Sequence, residues 1–143
     1  MLVQSLRLDM ICILENRIQL TSLSDQSFFN SHMVYDYESS CNNFHCSNPG
    51  RIWIKWCPDK LTFQPCFFSS QMIAGMVSYG SNIPFLLSVI YASNNQVERK
   101  VLWEDLRNIT PTEGIPWILM GDYNCCRFPS EKLGGNTLHQ NTF

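Results

Sequence analysis

Three polar clusters in this 143-residue sequence hold the side chains best suited to chemistry: Glu15, Tyr91 with Asn94, and Asp122 with Asn124. Each follows a largely apolar run: Met10-Ile11-Cys12-Ile13-Leu14, Phe85-Leu86-Leu87-Ser88-Val89-Ile90 and Trp117-Ile118-Leu119-Met120. Short apolar runs of this kind read as buried strands, and polar residues at the ends of neighbouring strands can converge on one rim of a sheet. Such a rim suits Mg²⁺, which prefers one or two carboxylates plus water and substrate phosphate over a closed protein cage. A cation held there would polarise a phosphoryl oxygen and neutralise charge on a leaving group. Taken singly, the same residues have plainer roles. Glu15 is then a cap or a solvated strand end, Asp122 and Asn124 form a turn, and Tyr91 is a half-buried aromatic with its hydroxyl in water.

The elements that would position these residues are legible in part. A strand is expected over 9–15, with Glu15 at its C-terminal end, then weak helical period over 20–30 and a further strand over 32–37. Residues 37–49 are polar and read as a loop. The β-branched and aromatic content of 51–56, 61–68 and 72–79 predicts three strands, and 51–79 reads as an antiparallel meander. Residues 84–91 form a central strand. A helix follows, capped by Asn95, with Glu98 three residues on to complete a capping box and an apolar stripe of Val97, Val101, Leu102, Leu106 and Ile109. Thr110-Pro111 ends it, and 116–120 is another strand. Strands, then a helix, then a strand tipped with a carboxylate and an amide predict an α/β protein, a layered α/β sandwich of mixed β-sheets.

Composition narrows the classes. With 45% hydrophobic and 13% aromatic residues, the chain can build a core, and one domain over 1–143 is the default. Ten basic against twelve acidic side chains leave a net charge of -2, so a nucleic-acid partner would have to be held by a local patch or a metal. Seven cysteines without a repeating spacing favour reduced thiols over a disulfide framework, and hence an intracellular protein. The first fourteen residues are apolar, but Asp9 interrupts them and no small-residue cleavage site follows, so they read as domain structure. Residues 61–97 carry no charged side chain, yet prolines, glycines and serines divide them below the roughly 20 apolar residues that a membrane span needs.

Five segments carry a resemblance. Leu14-Glu15, Gly50-Arg51-Ile52-Trp53, Tyr91-Ala92-Ser93-Asn94, Gly121-Asp122-Tyr123-Asn124 and Pro129-Ser130-Glu131-Lys132-Leu133-Gly134-Gly135 occur in that order. With them the chain resembles the nuclease domain of plant LINE-type retroelements, within the endonuclease/exonuclease/phosphatase (DNase I-like) superfamily. The resemblance implies a sandwich flanked by helices, Mg²⁺ or Mn²⁺ as cofactor, DNA as partner and a nuclear site of action. It implies that Glu15 binds the metal, that Tyr91 contacts the scissile phosphate and that Asn94 lies near the nucleic-acid backbone. Asp122 would orient or activate water or protonate the leaving group, and Asn124 would bind phosphate or fix a catalytic histidine. Tyr123 replaces the family's phenylalanine.

The departures shape the expectation. The family's first strand and its asparagine would precede Met1, and its closing Ser-Asp-His segment has no counterpart here; His139 stands in the wrong context. We therefore expect a partial domain, truncated at both ends, that does not hydrolyse DNA by itself. The alternatives are a non-catalytic nucleic-acid-binding or interaction module, a remnant of a superfamily phosphatase or exonuclease, or a fragment too exposed at its edges to fold. Cys41, His45, Cys46 and Cys57 have zinc-ligand types without zinc-ligand spacing and read as a satisfied loop. Arg51, Lys55 and Lys60, with Trp53 and Trp56, read as an exposed sheet face or as a nucleic-acid contact.

Overall fold

The computed structural model describes residues 7–126. Seven strands appear among them: β1 (Met10–Ile18), β2 (Ser39–Asn42), β3 (Gly50–Trp56), β4 (Thr62–Phe68), β5 (Met72–Ser78), β6 (Phe85–Tyr91) and β7 (Trp117–Asp122). A 3-10 turn at Leu20–Ser24 leads into the short helix α1 (Gln26–Ser31), and α2 (Gln96–Asn108) links β6 to β7. Strands β1-β3-β2 form one antiparallel sheet, and β4-β5-β6-β7 form another in which β6 and β7 are parallel. Pro65 and a bulge at Cys66 fall on β4, an edge strand, where a missing N–H is tolerated.

The two-residue period of β3 divides its side chains. Ile52, Ile54 and Trp56 meet Phe63, Ile73, Val77, Leu87 and Val89 of the second sheet in the main core. On the opposite face of β3, Trp53 packs against Phe28 and Phe29 of α1 and against Phe44. A second apolar cluster joins Met72, Ile90 and Ala92 to Leu102 and Leu106 of α2.

This architecture corrects the expected fold class. The chain is not a helix-flanked α/β sandwich of the DNase I-like type; among the described residues it is mostly β, built as two small sheets, with α-helix confined to six residues in α1 and thirteen in α2. The reason lies in the apolar runs. Most are short and rich in β-branched and aromatic residues, which favour strands, and only 96–108 sustains a helical period over three turns. The weak period after Leu20 yields one 3-10 turn and less than two turns of helix. Residues 32–37 form no strand, whereas Ser39–Asn42, read as loop, pairs with β3 through residues 53–56. The meander is also split, because β3 belongs to one sheet and β4 and β5 to the other. In α2, Leu102 and Leu106 are buried while Val97 and Val101 of the expected stripe are exposed.

Two polar arrangements lock the sheets. The Asn43 amide nitrogen donates to the carbonyls of Ser69 and Ser70, and its oxygen accepts from the N–H groups of Arg51 and Ile52. Lys55, only 1% exposed, pairs with the buried carboxylate of Glu38, which also accepts from the N–H groups of Val34 and Tyr35. Lys55 is therefore not on the expected exposed sheet face, and Trp53 and Trp56 are buried as well. All seven cysteines are free thiols. Cys12 and Cys41 flank Ile54 on opposite sides, and burial pushes their thiols up to about 11 and about 12.

Asn43→Ala should cost about 3 kcal/mol or more in a denaturant titration, because up to four backbone groups lose their partner at about 1–3 kcal/mol each. A loss below about 1 kcal/mol would show that water replaces the amide without penalty. In native protein at pH 8, a thiol reagent should modify the exposed Cys46, Cys66 and Cys125 quickly and leave Cys12 and Cys41 until unfolding, with peptide mapping as the readout.

Candidate active site

The end of β1 departs from regular pairing. Leu14 stands opposite Ile52 and Ile18 opposite Gly50, so Glu15, Asn16 and Arg17 together face Arg51 alone. This bulge places Glu15 at φ 54° and Arg17 at φ 52°, left-handed conformations that non-glycine residues adopt at a cost of about 1 kcal/mol or more each. Glu15 therefore lies within the span of β1 rather than beyond its end. The bulge turns Glu15 and Arg17 outward, where they form an exposed ion pair at 2.6 Å. Exposed pairs of this kind are worth little and exchange readily for a ligand.

The second sheet contributes the other wall. In the parallel β6/β7 pair, Tyr91 is the register partner of Asp122, so both sit at the carboxyl ends of their strands. Gly121 makes this approach feasible: it has φ 138°, and a Cβ on it would lie 1.9 Å from the carbonyl oxygen of Ile90. The Asp122 carboxylate accepts from the N–H of Asn124, which turns the chain at φ 46°, and the Asn124 amide nitrogen donates to the carbonyl of Ala92 at 2.6 Å. Asp122 and Asn124 thus form the local turn that their residue types favour while also tying β7 to the end of β6.

Glu15, Arg17, Pro49, Arg51, Tyr91 and Asn94 line one cleft of about 340 Å³. The Arg51 guanidinium carbon lies 5.6 Å from the centre of the Tyr91 ring, within cation–π range. Burial, followed by the charge of Glu15, pushes the Tyr91 phenol up from its ordinary value; Asp122 adds to this, and Arg51 and Arg17 oppose it. The phenol consequently stays protonated at neutral pH and keeps an O–H to donate. Between them, two guanidinium groups, a phenol and an amide offer an anion several donors, and Glu15 offers a cation one carboxylate.

The loop after Tyr91 is held from behind. The Gln71 carbonyl accepts from the Tyr91 N–H, and its side-chain oxygen accepts from the Ser93 N–H at 2.7 Å. Arg99, 7% exposed, donates from Nη1 to the carbonyls of Ser93 and Asn94. Asn95 caps α2 through the Val97 N–H, but Glu98 does not close the expected box and instead accepts from the Ser93 hydroxyl.

Four expected site residues converge. Glu15, Tyr91 and Asn94 line the cleft, and Asp122 adjoins it through Tyr91, while Asn124 sits behind, on the Ala92 carbonyl. Sequence reasoning missed Arg17, whose position depends on a bulge that no apolar pattern announces, and gave Arg51 no place in this cleft. The Gly50-Arg51-Ile52-Trp53 segment was the available signal for Arg51. Lys60 and Trp56 do not line the cleft. No group of three or more His, Cys, Asp or Glu side chains gathers among the described residues, and residues 129–135 and His139 lie outside them.

The sequence matches no family profile and no curated protein. Solved structures do resemble it. One, a functionally unknown conserved protein from Enterococcus faecalis V583, aligns with a TM-score of 0.57 at 16% identity, over 87% of this chain and 56% of that one. The likeness is one of fold. This chain spans little more than half of that protein's length, and none of the described helices is long and apolar enough to cross a membrane.

Replacing Glu15 or Arg17 by Gly should leave the melting temperature unchanged or raise it, since glycine adopts their φ freely, whereas Gly121→Ala should lower it by several degrees. Glu15→Gln should lower the Tyr91 phenol pKa, by removing a charge that opposes the phenolate, and Arg51→Met should raise it. NMR of ring-labelled tyrosine reads both, and shifts of the opposite sign would show that these charges do not govern the ring.

Proposed function

We propose that the cleft binds a phosphodiester and derives from a Mg²⁺-dependent hydrolytic site akin to that of LINE-type retroelement nucleases, without hydrolysis by this chain as it stands, with DNA as the partner and the nucleus as its place of action. The observation that carries this reading is the meeting of Glu15, Arg17, Arg51, Tyr91 and Asn94, drawn from two sheets and far apart in sequence, around one cleft. Three of them, Glu15, Tyr91 and Asn94, are residues that the family resemblance selects.

The donor set fits Mg²⁺ in one specific way. Glu15 is an exposed carboxylate in only a weak surface pair, so it is available to a hard cation, and Asp122, the register partner of Tyr91, is a second carboxylate at the same strand ends. One or two carboxylates suffice for Mg²⁺ when a substrate phosphate and water complete the shell, which makes cation and phosphate binding mutually dependent. When bound, Mg²⁺ would neutralise developing negative charge on phosphate oxygens.

The chain's own groups would hold the phosphate. Arg51 and Arg17 supply charge-assisted donors, the protonated Tyr91 phenol supplies an O–H and Asn94 an amide N–H. Asp122, whose carboxylate lies at the end of β7, would orient the attacking water or protonate the departing oxygen, and Asn124 would keep β7 aligned with β6. A specific observation favours a second reading, binding without turnover. Among the described residues no histidine lines the cleft: His32 lies against Phe28, and His45 is in the loop before β3. Among the described residues the water would therefore have only carboxylates, Glu15 and the neighbouring Asp122, as a base.

A plasmid-nicking assay run beside fluorescence anisotropy on a short DNA separates the two. For the 143-residue chain the expected outcome is Mg²⁺-enhanced, salt-sensitive binding without nicking, weakened about tenfold by Arg51→Met and stripped of its Mg²⁺ dependence by Glu15→Gln. Nicking that requires Glu15 would establish the hydrolytic reading for this chain outright. Binding that ignores both substitutions would sink the assignment of the cleft.

A further inference from the structure

The two arginines of the cleft are placed differently. Arg17 shares the β1 bulge with Glu15, both in left-handed conformations on either side of Asn16, and its Nη2 donates to Glu15 Oε1 at 2.6 Å. Among the described residues neither has another ion-pair partner. The Arg51 guanidinium lies over the Tyr91 ring, and no carboxylate of the described residues pairs with it.

Arg51 is therefore ready for an anion, whereas Arg17 already holds one, and it is the carboxylate that a cation would need. A guanidinium and a divalent ion on one carboxylate repel each other, so Glu15 serves a cation well only when Arg17 has left it. Departure is easy: the side chains of Arg17 and Glu15 are 75% and 52% exposed, and exposed pairs hold their partners by a factor of about five at most. Arg17 also has somewhere to go, because it lines the same cleft as Tyr91, Asn94 and Arg51 and a neighbouring cavity of about 460 Å³.

We infer that Arg17 makes cation and phosphodiester enter the cleft together, by exchanging its hydrogen bond to Glu15 for one to the phosphate as Glu15 turns to the cation. The inference rests on the Mg²⁺ and phosphodiester reading of the cleft and assigns the cooperativity of that site to one side chain. Either ion alone leaves a charge unmatched. A cation on Glu15 strands Arg17, and a phosphate on Arg17 strands Glu15 beside an anion. With both ions present, each charge faces an opposite one and the guanidinium keeps a charge-assisted bond throughout.

The test follows Mg²⁺ alone through the backbone amide NMR signals of residues 15–17, and a short DNA by anisotropy with and without Mg²⁺, on the 143-residue chain and its variants. In Arg17→Met, Mg²⁺ alone should bind about threefold more tightly, since no guanidinium has to leave Glu15. The factor by which Mg²⁺ tightens DNA binding should fall in the same variant from about tenfold to about twofold. Arg17→Lys should restore part of that factor. Arg51→Met should weaken DNA binding but keep the factor at about tenfold, because the Glu15–Arg17 pair remains. Should Arg17→Met lower the melting temperature, Arg17→Gly, which accepts φ 52° freely, takes its place. Mg²⁺ affinity and Mg²⁺ factor both unchanged in the Arg17 variant would overturn the exchange, as would an equal tightening of Mg²⁺ by Arg51→Met, which would show that net charge decides. Mg²⁺ still acting at residues 15–17 and enhancing DNA binding would then leave the cleft reading standing. Signals of residues 15–17 that ignore Mg²⁺ in every variant, with DNA binding indifferent to it, would sink both.

Discussion

One buried amide, Asn43, joins parts of the molecule that have no backbone pairing in common. Its oxygen takes the N–H groups of Arg51 and Ile52 at the start of β3, and its nitrogen reaches the carbonyls of Ser69 and Ser70, in the turn between β4 and β5. The next residue, Gln71, holds the N–H groups of Tyr91 and Ser93. One side chain therefore sets the position of Arg51 on one wall of the cleft and, two hydrogen bonds further on, that of Tyr91 on the other. In a buried setting such a relay is demanding, since each group left unmatched is penalised, but when fully matched it specifies a single arrangement.

Strain and rigidity are apportioned differently on the two walls. On the first sheet, Glu15 and Arg17 adopt left-handed conformations within a bulge, and their side chains are exposed and loosely paired. On the second, Gly121 lets β7 lie against the Ile90 carbonyl, and Arg99 and Gln71 fix the loop after Tyr91 from behind. The charged groups that meet solvent can rearrange around an incoming ion, while the aromatic ring and amide opposite them stay in place. That division suits a site whose cation and anion must arrive together.

How much of this could be read from the sequence follows from the range of the forces involved. Strands β3 to β7 and helix α2 were legible, because apolar period and local caps act over a few residues. Strand β2 was not, since Ser39-Ser40-Cys41-Asn42 has no strand-like pattern and is ordered by its partner β3. The burial of Lys55 depends on Glu38, seventeen positions away, and on a fold that brings them together. The helix-flanked sandwich failed for the same reason: layer count depends on how sheets divide, and the turn after Trp56 carries the chain from one sheet to the other. Of the site, Glu15, Tyr91, Asn94 and Asp122 were named from residue type and order, whereas Arg17 needed the bulge.

The cleft straddles the seam between the sheets. Among the described residues no backbone ladder crosses that seam, which is filled by the side chains of Ile52, Ile54, Val89 and their neighbours. Packed faces of this kind slide over one another more easily than they part. A shear of one sheet across the other would change the gap between Glu15 and Tyr91 while every strand kept its partners, with the Asn43 relay as the spring that restores it. The width of the cleft is thus a mechanical coordinate of the whole molecule, tuned by the bulk of core side chains that never touch a ligand.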